Sequence, residues 1–208
     1  MIPMFITFEG IDGCGKSTQA AMLARWMRRR GFDVVRTKEP GGTAPGRRLR
    51  RLILKGEPIS PMAELFLYLA DRAEHVDAVV RPALRQGKVV ISERFSHSTL
   101  AYQGYGRGLN PGMVRRLDAA ATGGLRADIT ILLDISAPKA LARLPASRRD
   151  RMEGESLAFR KRVIAGYRSL AAQDPVIRLV SAEGAELDVS RRVIKVVEGA
   201  LERKRGKR

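Results

Sequence analysis

The segment FEGIDGCGKST, residues 8–18, combines glycines at 10 and 15 with Lys16 and Ser17. Glycine tolerates backbone angles that strain other residues, so successive N–H groups can turn inward toward an anion. Lysine adds a mobile positive charge, and the serine hydroxyl suits a magnesium ion. Gly10, Ile11, Asp12, Gly13, Cys14, Gly15, Lys16, Ser17 and Thr18 therefore read as a P-loop, a cradle for the phosphates of a nucleoside triphosphate. Cys14 reads as a small space-filler. The cradle alone does not separate a kinase from a GTPase or a motor ATPase. The Asn-Lys-x-Asp stretch by which Ras-like GTPases read their base is absent from the sequence.

A kinase needs a second pocket for its acceptor, and three further stretches supply candidates. KEPGGT (38–43) carries two glycines that allow a backbone to approach a ligand closely. YLADR (68–72) sets Tyr68 and Arg72 at i and i+4, one above the other on a helix face. An aromatic plate beside a guanidinium can receive a base and its phosphate. Tyr68 also suits plain core, and Arg72 a solvated position paired with a carboxylate. ERFSHSTLAYQG (93–104) offers Arg94, Ser98, Thr99, Tyr102 and Gln103.

These stretches need elements to hold them. Apolar and β-branched runs predict buried strands at Met4 to Phe8, Asp33 to Thr37, Lys88 to Ser92, Asp128 to Asp134 and Val176 to Val180. Helical periodicity predicts helices from Lys16 to Arg30, ending at Gly31, and from Leu187 to Glu202. Ser60 and Pro61 read as N-cap and first residue of a long helix toward Gln86. Alternating strands and helices imply an α/β fold of three layers, α/β/α, on a five-stranded parallel sheet. Ligands then sit beyond the carboxyl ends of the strands. Glu9 to Ser17, Lys38 to Gly42 and Glu93 to Ser98 all follow strands, so they should converge.

The 208 residues fit one domain, with a frayed basic tail over 203–208. Cys14 is the single cysteine, so no internal disulfide can form, and a reducing, cytoplasmic setting is expected. No apolar run is long enough to cross a bilayer, so no membrane partner is expected, and Met1 to Phe8 lacks the basic leader of a signal peptide. The formal charge of +17 comes from 39 basic and 22 acidic residues. The basic residues are scattered and lack interleaved aromatics, which argues against nucleic acid as the main partner.

Together, FEGIDGCGKST, EPGGT, LADRAEHV, ERFSHSTLAYQG and RRDRME, in this order and spacing, resemble the thymidylate kinase family. The likeness runs from Phe5 to about Val180 and implies a P-loop nucleoside monophosphate kinase fold. It also implies ATP and dTMP as substrates, Mg²⁺ as cofactor and a homodimer joined through helices near 61–86. The resemblance assigns Lys16 and Arg94 to the transferring phosphate, and Ser17 and Glu93 to the metal. Asp12 is expected to hold the sugar 3′-hydroxyl, and Lys38 and Arg94 the acceptor phosphate, with Pro40 in the acceptor pocket. Tyr68 stands where the family usually stacks a phenylalanine on thymine, and Arg72 faces a thymine carbonyl. Ser98 and Thr99 are expected on the pyrimidine edge. Tyr102 is expected where a ribose 2′-hydroxyl would lie, and Gln103 against the base. PASRRDRMEG (145–154) resembles a mobile lid, with Arg148, Arg149 and Arg151 reaching toward the transferring phosphate.

Three positions depart from the family pattern. Glu93 replaces the usual aspartate, Lys38 the usual arginine, and Gly13 an arginine that some members carry. Lysine gives a point charge where arginine gives a fork. Two rival readings stay open: a small kinase for another nucleoside monophosphate, and a nucleic-acid-binding regulator using its P-loop as a switch. The regulator has no use for the second pocket.

Overall fold

The computed structural model describes residues 3–144 and 151–206. Five strands run parallel in the order β2-β3-β1-β4-β5: β1 Met4–Glu9, β2 Val34–Lys38, β3 Val89–Glu93, β4 Ile129–Asp134 and β5 Ile177–Ser181. Each lies within a residue or two of its sequence expectation. β1 is buried at every position, as a central parallel strand must be.

The period-2 alternation of β1 and β3 divides two cores. Met4, Ile6, Phe8, Val89 and Ile91 pack with Leu23 and Met27 of α1 (Lys16–Arg29). Phe5 and Val90 point the other way and pack with Val76, Val80 and Phe95. Helix α9 (Glu186–Gly206) lies beside α1. It continues through residues 203–206, which the sequence suggested would fray. An ion pair of 2.6 Å from Lys204 to Asp128, at the foot of β4, holds this last turn.

The long helix begins as expected, with the Ser60 hydroxyl accepting from Ala63 N–H at 3.3 Å. It is not regular to Gln86. Helix α3 (Pro61–His75) passes into a π-helical turn at Val76–Val80 and then into α4 (Arg81–Arg85). Pro82 has no N–H to give and crowds the carbonyl a turn earlier, so the ladder widens ahead of it. A second π-helical stretch, Leu100–Gly106, follows the short α5 (Ser96–Thr99) and carries Tyr102 and Gln103. Helices α2 (Ala44–Lys55), α6 (Pro111–Thr122), α7 (Ala137–Ala142) and α8 (Leu157–Gln173) complete the layers.

The turn after β2 is fixed by α3. Gly41 N–H donates to Asp71 Oδ1 at 2.8 Å, and a Cβ at Gly42 would lie 2.5 Å from the His75 ring. The glycines expected to let a backbone approach a ligand instead let it approach α3. Below the turn, the Thr37 hydroxyl meets His75 Nε2 at 2.7 Å, and His75 Nδ1 meets Glu39 Oε1 at 2.8 Å. Asp71 Oδ2 is buried without a hydrogen-bond partner among the described residues. Burial pushes this carboxyl up, and the Glu39 charge adds to it against the Gly41 bond, reaching about 6.

A raised carboxyl favours the fold at low pH, and that benefit is lost as pH rises through its folded-state value. Asp71→Asn removes the titration while keeping an acceptor for Gly41. Its stability relative to the parent should therefore improve by about 1 kcal/mol between pH 5 and pH 8. Urea unfolding of both proteins at the two pH values measures this, and a pH-independent difference would refute it.

Candidate functional site

The strand ends bring the three suspected stretches together. The P-loop follows β1, and β3 places Glu93 in register with both Phe8 and Lys38. Gly13 has φ of +84°, and a Cβ there would lie 2.1 Å from the carbonyl oxygen of Ala140 on α7. The close seat of α7 thus excludes the arginine that some family members carry. Lys16 Nζ donates to the carbonyls of Gly10 at 3.0 Å and Ile11 at 2.9 Å. The Ser17 hydroxyl donates to a Glu93 carboxylate oxygen, so the two residues expected at a metal do meet.

Two cavities open on this junction. The wider, about 710 Å³, is lined by the P-loop, Lys38, Glu93 and Arg143, and by the Ala182–Val189 stretch beyond β5. The narrower, a slot of about 70 Å³, is lined by Pro40, Tyr68, Arg72, Ser98, Thr99, Tyr102 and Gln103, with Leu54 and Met152. Asp12, Arg94, Glu39 and Arg50 border both. Lys38 borders only the wider cavity.

Arg94 and Asp12 stand where the cavities meet. The Arg94 guanidinium donates to Asp12, to Gly10 O at 3.3 Å, to Ser98 Oγ at 3.2 Å and to Tyr102 OH at 3.3 Å. Tyr102 OH donates to the other Asp12 oxygen at 3.3 Å. Burial pushes the Asp12 carboxyl up, but the Arg94 and Lys16 charges outweigh it and hold it at about 2. Asp12 is thus an ionised acceptor at neutral pH. Burial pushes the Tyr102 hydroxyl above the usual phenol range, so it remains a neutral donor.

Other expected base contacts are already engaged with the protein. Arg72 is 1% exposed; its Nε donates to Glu39 at 2.8 Å, and its NH1 to Thr99 at 2.7 Å and Asp118 at 2.5 Å. The Ser98 hydroxyl donates to Glu9 at 2.5 Å and meets Tyr167 OH at 2.9 Å. All three residues still border the slot, with their polar groups oriented in advance. Arg151, expected at the transferring phosphate, sits elsewhere in this structure. It borders neither cavity, its Nε donates to Ile53 O at 2.9 Å, and its NH2 pairs with Glu64 at 2.9 Å. Arg148 and Arg149 lie outside the described residues.

Sequence reasoning missed Arg50, Glu39, Glu64 and Arg143. The Ala182–Val189 stretch lies just beyond the end of β5, so the strand-end rule applied to all five strands would have found it; Arg143, at the far end of α7, gave no such signal. Arg50 gave only a helical spacing from the KEPGGT turn. It donates to Pro40 O at 3.1 Å.

Comparison with known proteins bears on the family and the fold. The thymidylate kinase family model matches residues 8–193. The chain is 51% identical over 200 residues to a thymidylate kinase of Synechococcus sp. (strain JA-2-3B'a(2-13)), covering 95% of this chain and 96% of that one. It is 54% identical over 176 residues to that of Gloeobacter violaceus, covering 83% of each. The crystal structure of thymidylate kinase from Ehrlichia chaffeensis superposes with a TM-score of 0.81 at 32% identity, covering 95% of this chain and 100% of that one. The sheet and its flanking helices are the P-loop nucleoside monophosphate kinase fold. By family match, by identity over nearly its whole length and by fold, the chain belongs to the thymidylate kinase family.

Proposed function

We propose that this chain transfers the γ-phosphoryl group of ATP to the 5′-phosphate of dTMP, giving dTDP and ADP. The observation that carries the reading is the shared border of the two cavities at Asp12 and Arg94. A donor in the P-loop cavity and an acceptor entering from the slot would meet at these residues. The acceptor phosphate is already ionised, so no strong base is needed, and catalysis is positioning plus charge neutralisation.

Lys16 and Arg94 stabilise charge on the transferring group. Arg50 and Lys38, which both border the wider cavity, add charge on the acceptor phosphate, and the Arg50 fork serves where Lys38 offers a point. Ionised Asp12 accepts from the sugar 3′-hydroxyl. Tyr102 fills the place of a ribose 2′-hydroxyl, and Tyr68 and Gln103 flank the base. Ser17 and Glu93 fit Mg²⁺, which takes hard oxygens and keeps phosphate and water ligands. Among the described residues no group of three His, Cys, Asp or Glu could hold a metal alone, which suits an ion shared with phosphates. Bound there, Mg²⁺ supplies charge neutralisation of the phosphate oxygens. No described helix is long and apolar enough to cross a membrane. We place the protein in the cytoplasm as a single-domain homodimer, with Phe66 on α3, 53% exposed, among the residues a second copy would cover.

ADP release with ATP and Mg²⁺, measured against dTMP, dUMP, ribo-TMP, dCMP, dGMP and AMP, tests the assignment. dTMP should lead. dUMP lacks one methyl and should trail by about 10–200-fold while remaining a real substrate. A panel led by another nucleotide would move the assignment to that acceptor. Arg94→Ala should lower kcat by about 10³-fold, and Arg94→Lys should restore little, because lysine cannot make the forked contact. Parent-like kcat in either variant would remove Arg94 from the transfer step.

A further inference from the structure

Glu64 precedes Tyr68 and Arg72 at successive four-residue steps on α3, so the three share one helix face. Unlike the other two, it borders neither cavity, and it is 1% exposed. Its Oε1 accepts from Gln103 Nε2 at 2.9 Å and from Arg107 Nε at 3.1 Å. Its Oε2 accepts from Arg107 NH2 at 3.0 Å and pairs with Arg151 NH2 at 2.9 Å. One carboxylate therefore holds two guanidinium groups and a carboxamide. Glu155, 2.6 Å from Arg107, balances the second positive charge. Burial pushes the Glu64 carboxyl up, but the Arg107 and Gln103 hydrogen bonds outweigh it, and it is ionised at neutral pH.

Each partner reaches a different wall of the slot. Gln103 is itself one wall. Arg151 binds backbone on α2, its N–H donating to Leu54 O at 3.1 Å and its Nε to Ile53 O at 2.9 Å. Leu54 is a second wall, and Met152, the residue after Arg151, is a third. Arg107 follows the π-helical stretch that carries Gln103 and lies over the Phe159 ring at 4.7 Å. These walls come from α2, the π-helical stretch and the segment before α8, and among their described links Glu64 is the group shared by Gln103, Arg107 and Arg151.

We propose that Glu64 is a positioning residue for acceptor recognition: its carboxylate sets the width of the slot by fixing Gln103 on one side and the Arg151–Met152 backbone on the other. The inference rests on the slot being the base side of the acceptor site. Glu64 touches no substrate and acts through Gln103 and Met152. A carboxylate is needed because only a full negative charge answers two guanidinium groups in a buried setting. Glutamine of the same length turns an N–H donor toward one of its own donors. Gln103 and Arg151 then lose their common reference, and the slot loosens.

The test compares Glu64→Gln with the parent by calorimetric titration of dTMP, dUMP and ATP, each alone, and by steady-state kinetics. The expected result is about tenfold weaker dTMP binding, with a matching rise in KM, a smaller dTMP-to-dUMP ratio and unchanged ATP affinity. A general loss of structure would weaken ATP along with dTMP, and that result overturns the proposal, as does parent-like dTMP affinity. Should Glu64→Gln not fold, a double-mutant cycle of Gln103→Ala and Arg151→Lys replaces it. Non-additive losses in dTMP affinity support the shared anchor, and additive ones refute it. If the parent prefers another acceptor, the assigned substrate falls and the comparison runs with that acceptor, so the two failures are told apart.

Discussion

Arg94 has φ of +70°, the only non-glycine residue with positive φ among those described. An arginine in the left-handed region costs on the order of 1–3 kcal/mol unless its surroundings hold it there. Three bonds do so. Its N–H donates to Phe8 O at 2.8 Å, its carbonyl accepts from the Ser92 hydroxyl at 2.9 Å, and the next N–H, from Phe95, donates to Glu9 at 2.8 Å. The conformation reverses the chain at the end of β3 and turns the guanidinium back over the P-loop. The meeting of the two cavities depends on this one backbone angle.

Glu9 supports that angle from beneath, and it is fully buried. One of its oxygens takes Phe95 N–H; the other takes the hydroxyls of Ser98 at 2.5 Å and Tyr167 at 2.9 Å. A buried carboxylate without partners would be costly, but each oxygen here is met by donors. The three donors come from the β3 turn, α5 and α8, so β1 ties two other layers to its own end. Packing alone could place these elements within an ångström or so. A carboxylate with three directed bonds fixes their rotation too, and phosphoryl transfer is sensitive to such alignment.

The parts of this site that the sequence revealed are those whose chemistry is local. The P-loop glycines, Lys16 and Ser17 act through neighbouring backbone, and the five strands announce themselves as apolar runs. Tyr68 and Arg72 were found because helical spacing puts them on one face. Residues whose meaning lies in a distant partner stayed hidden. Asp118 looks like a surface residue of α6 until Arg72 reaches it, and Glu64 gives no sign of Arg107 or Arg151. Arg151 is a case of the same kind: an arginine beside others in RRDRME invites a phosphate, and only the fold shows its ion pair with a buried carboxylate. The π-helical widening before Pro82 arises where a long helical pattern overrides the proline, a contest that periodicity does not resolve.

The excess of arginine has a related logic. Of the guanidinium groups bordering the slot, Arg72 is paired with Glu39 and Asp118, and Arg94 with Asp12, while Arg50, which borders both cavities, has no carboxylate partner among the described residues. Pairing orients the fork but cancels much of its charge at a distance, so the paired residues recognise more than they attract. Among the described residues bordering the wider cavity, Lys38, Arg50 and Arg143 form no ion pair with a carboxylate; Arg50 and Arg143 are held by backbone carbonyls instead. A carbonyl orients a cation without neutralising it. Arg72, which borders the slot alone, is thus neutralised, whereas Lys38 and Arg143, which border the wider cavity alone, are not. This division requires more basic than acidic residues at the site, because only the first kind is matched by an acid.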